Sequence, residues 1–206
     1  MKLYLSSIGV PNSVELLALL GSIPAPTVAI IPNAYDAEPL DNRSLAIDQT
    51  EALFRNLGFS SVVLDVRQNH GPHLLAEIVP HNLLWVMGGN TFVLNEAVRR
   101  AGLQFIFETM ANRGIVFGGE SAGAVLAGKT LHGIEHLDDA NQATEVIWDG
   151  LGLIEASILP HWGSAEYAAG LEPCRLEMLK TGEVITLTND QALVSDGVNT
   201  RVIART

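Results

Sequence analysis

Residues 114–128 read GIVFGGESAGAVLAG. Gly114 to Phe117 is a short apolar run of the kind that forms a buried strand, and Ala124 to Gly128 begins a helical pattern. Between them lies Gly119-Glu120-Ser121-Ala122-Gly123, a G-x-S-x-G at a strand-to-helix junction. A serine on such a sharp turn projects its hydroxyl above the sheet edge, and the flanking glycines let the turn close without side-chain collision. The helix N-terminus that follows offers backbone N–H groups to a developing oxyanion, and the Ala122 amide is one candidate donor. In a different sequence context the same letters would be no more than a small-residue helix start with a serine cap.

The chain on either side supplies that context. Lys2 to Ile8, Thr27 to Ile31, Ser61 to Val66 and Leu83 to Met87 read as strands, and the near-continuous apolar run TVAII fits a sheet covered on both faces. Ser13 to Leu20, Arg43 to Leu57, Phe92 to Gly102 and Gln104 to Arg113 read as helices between them. Alternating strands and helices predict an α/β fold, a mostly parallel sheet with helices on both faces. Thr130 to Asn141 loses the pattern and reads as an irregular excursion. Ile154 to Leu159, a helix over Ser164 to Lys180, and strands at Glu183 to Leu187, Ala192 to Ser195 and Arg201 to Ala204 close the chain. With 206 residues, no repeat and no dividing linker, one domain over 1–206 is expected.

Composition narrows the function. Lys and Arg number 12 against 23 Asp and Glu, a net charge of −11 that repels phosphate backbones and anionic lipid, so neither nucleic acid nor membrane is an expected partner. The single Cys174 excludes an internal disulfide framework and any CxxC motif. The N-terminal MKLYLSSIGVPNS lacks the apolar stretch of a signal peptide, and a cytoplasmic location is expected. No Walker A or GxGxxG sequence is present and no cofactor is expected.

A serine nucleophile needs a base, and six histidines compete for the role. His70, His73 and His81 fall in what reads as a polar loop. His132 and His136 have i, i+4 spacing but lack the glutamate of HExxH, so no metal is expected there. His161, in LPHWGS, follows a strand, at the kind of position where open α/β sheets gather their ligands. The orienting acid past His161 is Asp190, in Thr188-Asn189-Asp190, whereas Asp138, Asp139 or Asp149 would give the α/β-hydrolase order. Gly88-Gly89-Asn90-Thr91 ends another strand; the Gly89 amide is a candidate second oxyanion donor, and Gly88 and Asn90 candidate substrate contacts. Trp162, beside His161, is a candidate pocket wall. Cys174 lies mid-helix in EPCRLEML with no elbow, which argues against a cysteine nucleophile.

Four motifs in order, GGNTF (88–92), GGESAGAVLAG (118–128), GLGLIEASILPH (150–161) and ITLTNDQALVSDG (185–197), resemble the S51 serine peptidases. That family includes the aspartyl dipeptidase peptidase E and the cyanophycinases. The resemblance spans about residues 1 to 204. It implies a three-layer αβα fold of the class I glutamine amidotransferase type, with serine in place of cysteine. It also implies Ser121 as nucleophile, His161 as base, the Gly89 and Ala122 amides as oxyanion donors, and a small peptide as substrate.

Two positions depart from the family pattern. The triad glutamate of peptidase E aligns with Asn189, so the third member is Asp190 by a one-residue shift, or Asn189 itself, or activity is reduced. The arginine with which the Asp-specific dipeptidases hold substrate aligns with Glu172, three residues short of Arg175. Glu120, immediately before the serine, also disfavours an acidic substrate group. The expected activity is that of a serine-type dipeptidase, monomeric or homodimeric. The rivals are a binding domain that kept the fold without turnover and an esterase of the α/β-hydrolase type.

Overall fold

A computed structural model describes residues 1–205. Five parallel strands form its centre: β1 (Leu3–Ser6), β2 (Thr27–Ile31), β3 (Ser60–Val63), β4 (Leu83–Val86) and β5 (Val116–Glu120). With β8 (Gln191–Ser195) and β9 (Thr200–Ala204) they make a seven-stranded sheet in the order β3-β2-β4-β5-β1-β8-β9. β8 runs antiparallel to both its neighbours, β1 and β9. β6 (Ser157–Leu159) and β7 (Val184–Thr186) pair in parallel as a separate two-stranded sheet.

The central strands are apolar on both sides because both sides are covered. Tyr4, Val28, Ile30, Leu83 and Trp85 face α1 (Ser13–Leu20) and α2 (Leu40–Asn56), packing with Leu16, Leu19 and Phe54. Leu3, Leu5, Ala29, Ile31, Leu84, Val86 and Phe117 face the other layer, formed by α3 (Pro72–Ile78), α4 (Thr91–Ala101), α5 (Phe107–Asn112) and α6 (Ala122–Ala127). Period-two alternation divides each strand between two cores, which is why TVAII shows no polar face. The result is the expected α/β sandwich of three layers. No helix among the described residues is long and apolar enough to cross a membrane.

The 130–150 segment is irregular, as its sequence predicts, but it is not loose. It carries short 3₁₀ turns at Ile134–His136 and Ala140–Gln142 and packs with β6 and α7 (Ala168–Leu179) in a third apolar cluster that includes Leu131, Ile134, Leu159, Leu171 and Met178. One expected loop is wrong: residues 72–78 fold as α3, with Pro72 in the first helical turn and Leu74 and Ile78 buried. The three histidines around it masked that spacing. Proline at a helix start, where its missing N–H goes unneeded, was the available signal.

Candidate active site

The parallel strands all point their C-terminal ends to one edge, and Gly88, Gly89, Ser121 and His161 gather there. β5 runs into Ser121, which stands between the strand and α6 with φ 47° and ψ −113°. The two glycines of the elbow are there for closeness. A Cβ on Gly119 would meet the Gly123 carbonyl oxygen at 2.5 Å, and one on Gly123 the Val86 carbonyl oxygen at 2.2 Å. Helix α6 therefore sits directly on the strand ends, and the Ser121 amide is fixed by donating to the Ser6 carbonyl at 2.9 Å. Ala122 opens α6, so its N–H lies among the helix-start donors that have no intrahelical acceptor.

His161 follows β6 and is buried, 8% exposed. Its Nε2 lies 2.9 Å from Ser121 Oγ, and its Nδ1 lies 2.9 Å from Asn189 Oδ1. A carbonyl oxygen at Nδ1 requires Nδ1–H, which leaves the Nε2 lone pair facing the serine hydroxyl. The serine then donates to a ring already in the tautomer of a general base. His161 has φ 62°, and among the described residues it and Ser121 are the two non-glycine residues at positive φ. Strain of this kind costs roughly 1–3 kcal/mol per residue and persists where the surroundings hold it. Here it falls on the hydrogen-bonded pair.

Ser7 is part of what holds it, and nothing in the sequence marked it. Its buried hydroxyl, at the end of β1, accepts from the His161 N–H at 3.1 Å and donates to the Leu187 carbonyl at 2.9 Å. One side chain thus ties the large sheet to both strands of the small one. Tyr167 was also missed; its ring stacks on the imidazole with centroids 4.6 Å apart and planes 20° apart.

The acid expected of Asp190 is not supplied. That side chain is exposed and lies 3.3 Å from Arg205 Nε, while Asn189, one residue earlier, reaches the imidazole. The turn Thr188–Gln191, closed by the Gln191 N–H on the Thr188 carbonyl, sends consecutive side chains opposite ways. The three aspartates between serine and histidine do not replace it. Asp138 Oδ2 accepts from the Thr91 N–H at 2.8 Å, Asp139 Oδ1 caps the turn at Asn141, and the Asp149 carbonyl takes the Asn95 amide.

Ser121 and His161 open on a cleft of about 640 Å³, which Gly88, Gly89, Asn90, Glu120, Ala122, Asp138 and Tyr167 also line. A Cβ on Gly88 would stand 3.0 Å from Ser121 Cβ, so the glycine leaves the serine side chain open. Gly89 has φ 126°, and its Cβ would lie 2.7 Å from the Ala34 carbonyl oxygen; only glycine fits. Asn90 lines the cleft, but its polar atoms are engaged. Its Oδ1 caps α4 by accepting from Phe92 N–H and Val93 N–H, and its Nδ2 donates to the Asp139 carbonyl and to Gln142 Oε1. Trp162 and Arg175 lie outside the cleft. The Arg175 guanidinium sits 5.8 Å from the Trp162 ring and pairs with Glu172.

Electrostatics separate used from unused groups. Burial pushes the Cys174 thiol up to about 12, so it carries no nucleophile. His132 is stacked flat on Trp148, and no metal-ligating cluster occurs among the described residues. Burial raises the Glu120 and Asp138 carboxyls above their ordinary range, against hydrogen bonds from Gly9 and Thr91 respectively.

Known proteins resemble this chain in sequence and in fold. An uncharacterized peptidase of Listeria innocua is 27% identical over 82% of this chain and 79% of its own length. Another from Listeria monocytogenes is 25% identical over 83% and 82%. The crystal structure of a candidate peptidase E from L. monocytogenes superposes with a TM-score of 0.83 at 23% identity, covering 100% of this chain and 98% of that one. A peptidase from an acI-B1 Actinobacterium gives 0.75 at 20% identity, covering 100% and 88%. The sequence profile of peptidase family S51 matches residues 12–203, which take in the elbow, His161 and Asn189. The chain belongs to peptidase family S51.

Proposed function

We propose that the protein is a serine-type peptidase that hydrolyses a small peptide through an acyl-enzyme on Ser121. The observation that carries this reading is the unbroken relay from Ser121 Oγ to His161 Nε2 and from Nδ1 to Asn189 Oδ1, each link 2.9 Å. In the first half-reaction His161 takes the Ser121 proton as Oγ attacks the scissile carbonyl. The carbonyl oxygen becomes an oxyanion accepting from the Gly89 and Ala122 amides, each of which is expected to contribute about 10²–10³ in rate. His161 next protonates the leaving amine, whose bond to the acyl carbon breaks. Water then enters, gives a proton to His161 and releases the acid as Oγ recovers its own.

Asn189 holds the ring in the productive tautomer without a charge to balance the imidazolium, so turnover is expected to be slower than with a carboxylate. The neutral third member also favours one rival, a binding domain that retains the fold without turnover. A buried, unpaired Cys174 accords with a reducing compartment, and we place the enzyme in the cytoplasm. The test is hydrolysis of a dipeptide library by the wild type and by Ser121→Ala. Cleavage by the wild type alone is expected, and an unchanged rate in Ser121→Ala would sink the reading.

A further inference from the structure

The catalytic pair marks the cleft as the site, and the charges lining it set what it accepts. Four carboxylates line it, Glu38, Glu120, Asp138 and Asp139, together with His161 and, among the described residues, no lysine or arginine. The nearby cations are engaged elsewhere: Arg43 and Arg67 pair with Asp36 and Asp65, and Arg175 with Glu172. An anionic side chain beside the scissile bond would therefore be desolvated among like charges with no partner.

Glu120 is the nearest of these acids to the nucleophile in the chain. Strand alternation sends its side chain away from α6, to the layer of Trp85 and Tyr35. There Oε2 accepts from the Gly9 N–H at 2.6 Å. The Trp85 indole N–H, buried without a partner, is near enough to favour the carboxylate but outside hydrogen-bond geometry. Tyr35, Glu38 and Glu120 line the same cleft, and burial, then the charges of Glu120 and Glu38, raise the Tyr35 hydroxyl. No cation among the described residues pairs with Glu120, a half-buried carboxylate that a cationic ligand group would complete.

We propose that the cleft selects peptides bearing a positive charge on the acyl-side residue, an α-ammonium or a lysine or arginine side chain, with Glu120 as its anchor, and that it rejects aspartate there. The inference rests on the serine-peptidase reading above. Glu38, lining the same cleft, supports the anchor from the more exposed side.

The experiment measures kcat/KM for Lys-Ala, Arg-Ala, Ala-Ala and Asp-Ala, each with a free and an acetylated N-terminus, alongside fluorophosphonate labelling of Ser121 in the wild type. The cationic substrates should exceed Asp-Ala by about 100-fold or more. Glu120→Gln should cut the ratio of the preferred cationic substrate to acetyl-Ala-Ala, which has no charge on its acyl-side residue, by roughly 10- to 100-fold, the amount expected of a hydrogen bond between charged groups. Loss of Glu120 as a mere loop anchor would lower all rates alike and leave that ratio standing, which would overturn its role. Glu38→Gln, which does not touch Gly9, should lower the ratio in the same direction by a smaller factor. The acetylated arms assign the charge. If acetylation abolishes cleavage of Ala-Ala and Lys-Ala equally, the anchored group is the α-ammonium; if acetyl-Lys-Ala is still preferred over acetyl-Ala-Ala, it is the side chain. Labelling of Ser121 with Asp-Ala preferred, with no preference for either a free N-terminus or a cationic side chain, or with no cleavage of the panel overturns this inference and leaves the serine reading intact. Absence of both labelling and cleavage overturns the serine reading, and this one with it.

Discussion

Replacing Asn189 tests how the base is held. The hydrogen bond from His161 Nδ1 to Asn189 Oδ1 spans 2.9 Å and joins neutral groups in the resting enzyme. Such a bond contributes about 1 kcal/mol, rising to about 1.5–3 kcal/mol when the ring becomes an imidazolium in the transition state. The differential of roughly 0.5–2 kcal/mol corresponds to a slower acylation of about 2- to 30-fold once the acceptor is gone. Releasing the ring to both tautomers adds to this, so Asn189→Ala should lower the acylation rate about 10- to 100-fold. Asn189→Asp should act in the opposite direction. Exchanging aspartate for asparagine in a carboxylate triad costs about 10⁴-fold because the amide imposes the wrong tautomer. Here Oδ1 already faces the ring, so a carboxylate adds only its charge, an acceleration of about tenfold. The assay is the pre-steady-state burst with an activated ester, which reports acylation whatever peptide is the natural substrate. Asn189→Ala within twofold of the wild type would refute the orienting role, and Asn189→Asp slower than the wild type would refute the charge argument.

Three other changes probe the scaffold of the site. Ser7→Ala strands the His161 N–H and the Leu187 carbonyl in a buried position, and should cost about 2–4 kcal/mol in urea unfolding while lowering kcat at temperatures where the variant is folded. Gly89→Ala forces a Cβ to 2.7 Å from the Ala34 oxygen at φ 126°, a loss of about 2–5 kcal/mol by the same measurement. Glu120 binds its proton more tightly folded than unfolded, so its contribution to stability falls as pH rises from the ordinary carboxylate range through its raised value. The Tm of Glu120→Gln relative to the wild type should therefore climb across that window, and a flat difference would contradict the burial argument.

The sequence carried the elbow, the histidine beside it and the α/β layering because each rests on local pattern. A strand running into G-x-S-x-G, a histidine after a strand and alternating apolar runs are all readable within a dozen residues. What escaped it depends on contacts between distant segments. Ser7 meets Leu187 across 180 positions, and no feature of SSIG distinguishes its hydroxyl from that of Ser6, which bonds locally to the Gly9 carbonyl. The choice between Asn189 and Asp190 turned on one tight turn, since adjacent side chains there diverge. Trp162 was misplaced for a related reason. At His161 the chain takes φ 62°, so its neighbour leaves the cleft and packs beneath Arg175. The family resemblance, read without a gap, puts the triad position at Asn189, and the backbone path shows why the carboxylate beside it does not reach the imidazole.

The central claim is an activated serine at the elbow. Its most direct measurement is intact mass after incubation with a fluorophosphonate, followed by peptide mapping, for the wild type and for Ser121→Ala. A single adduct on Ser121, absent from the variant, is the predicted result. An adduct on another residue, or one that persists in Ser121→Ala, would contradict the account.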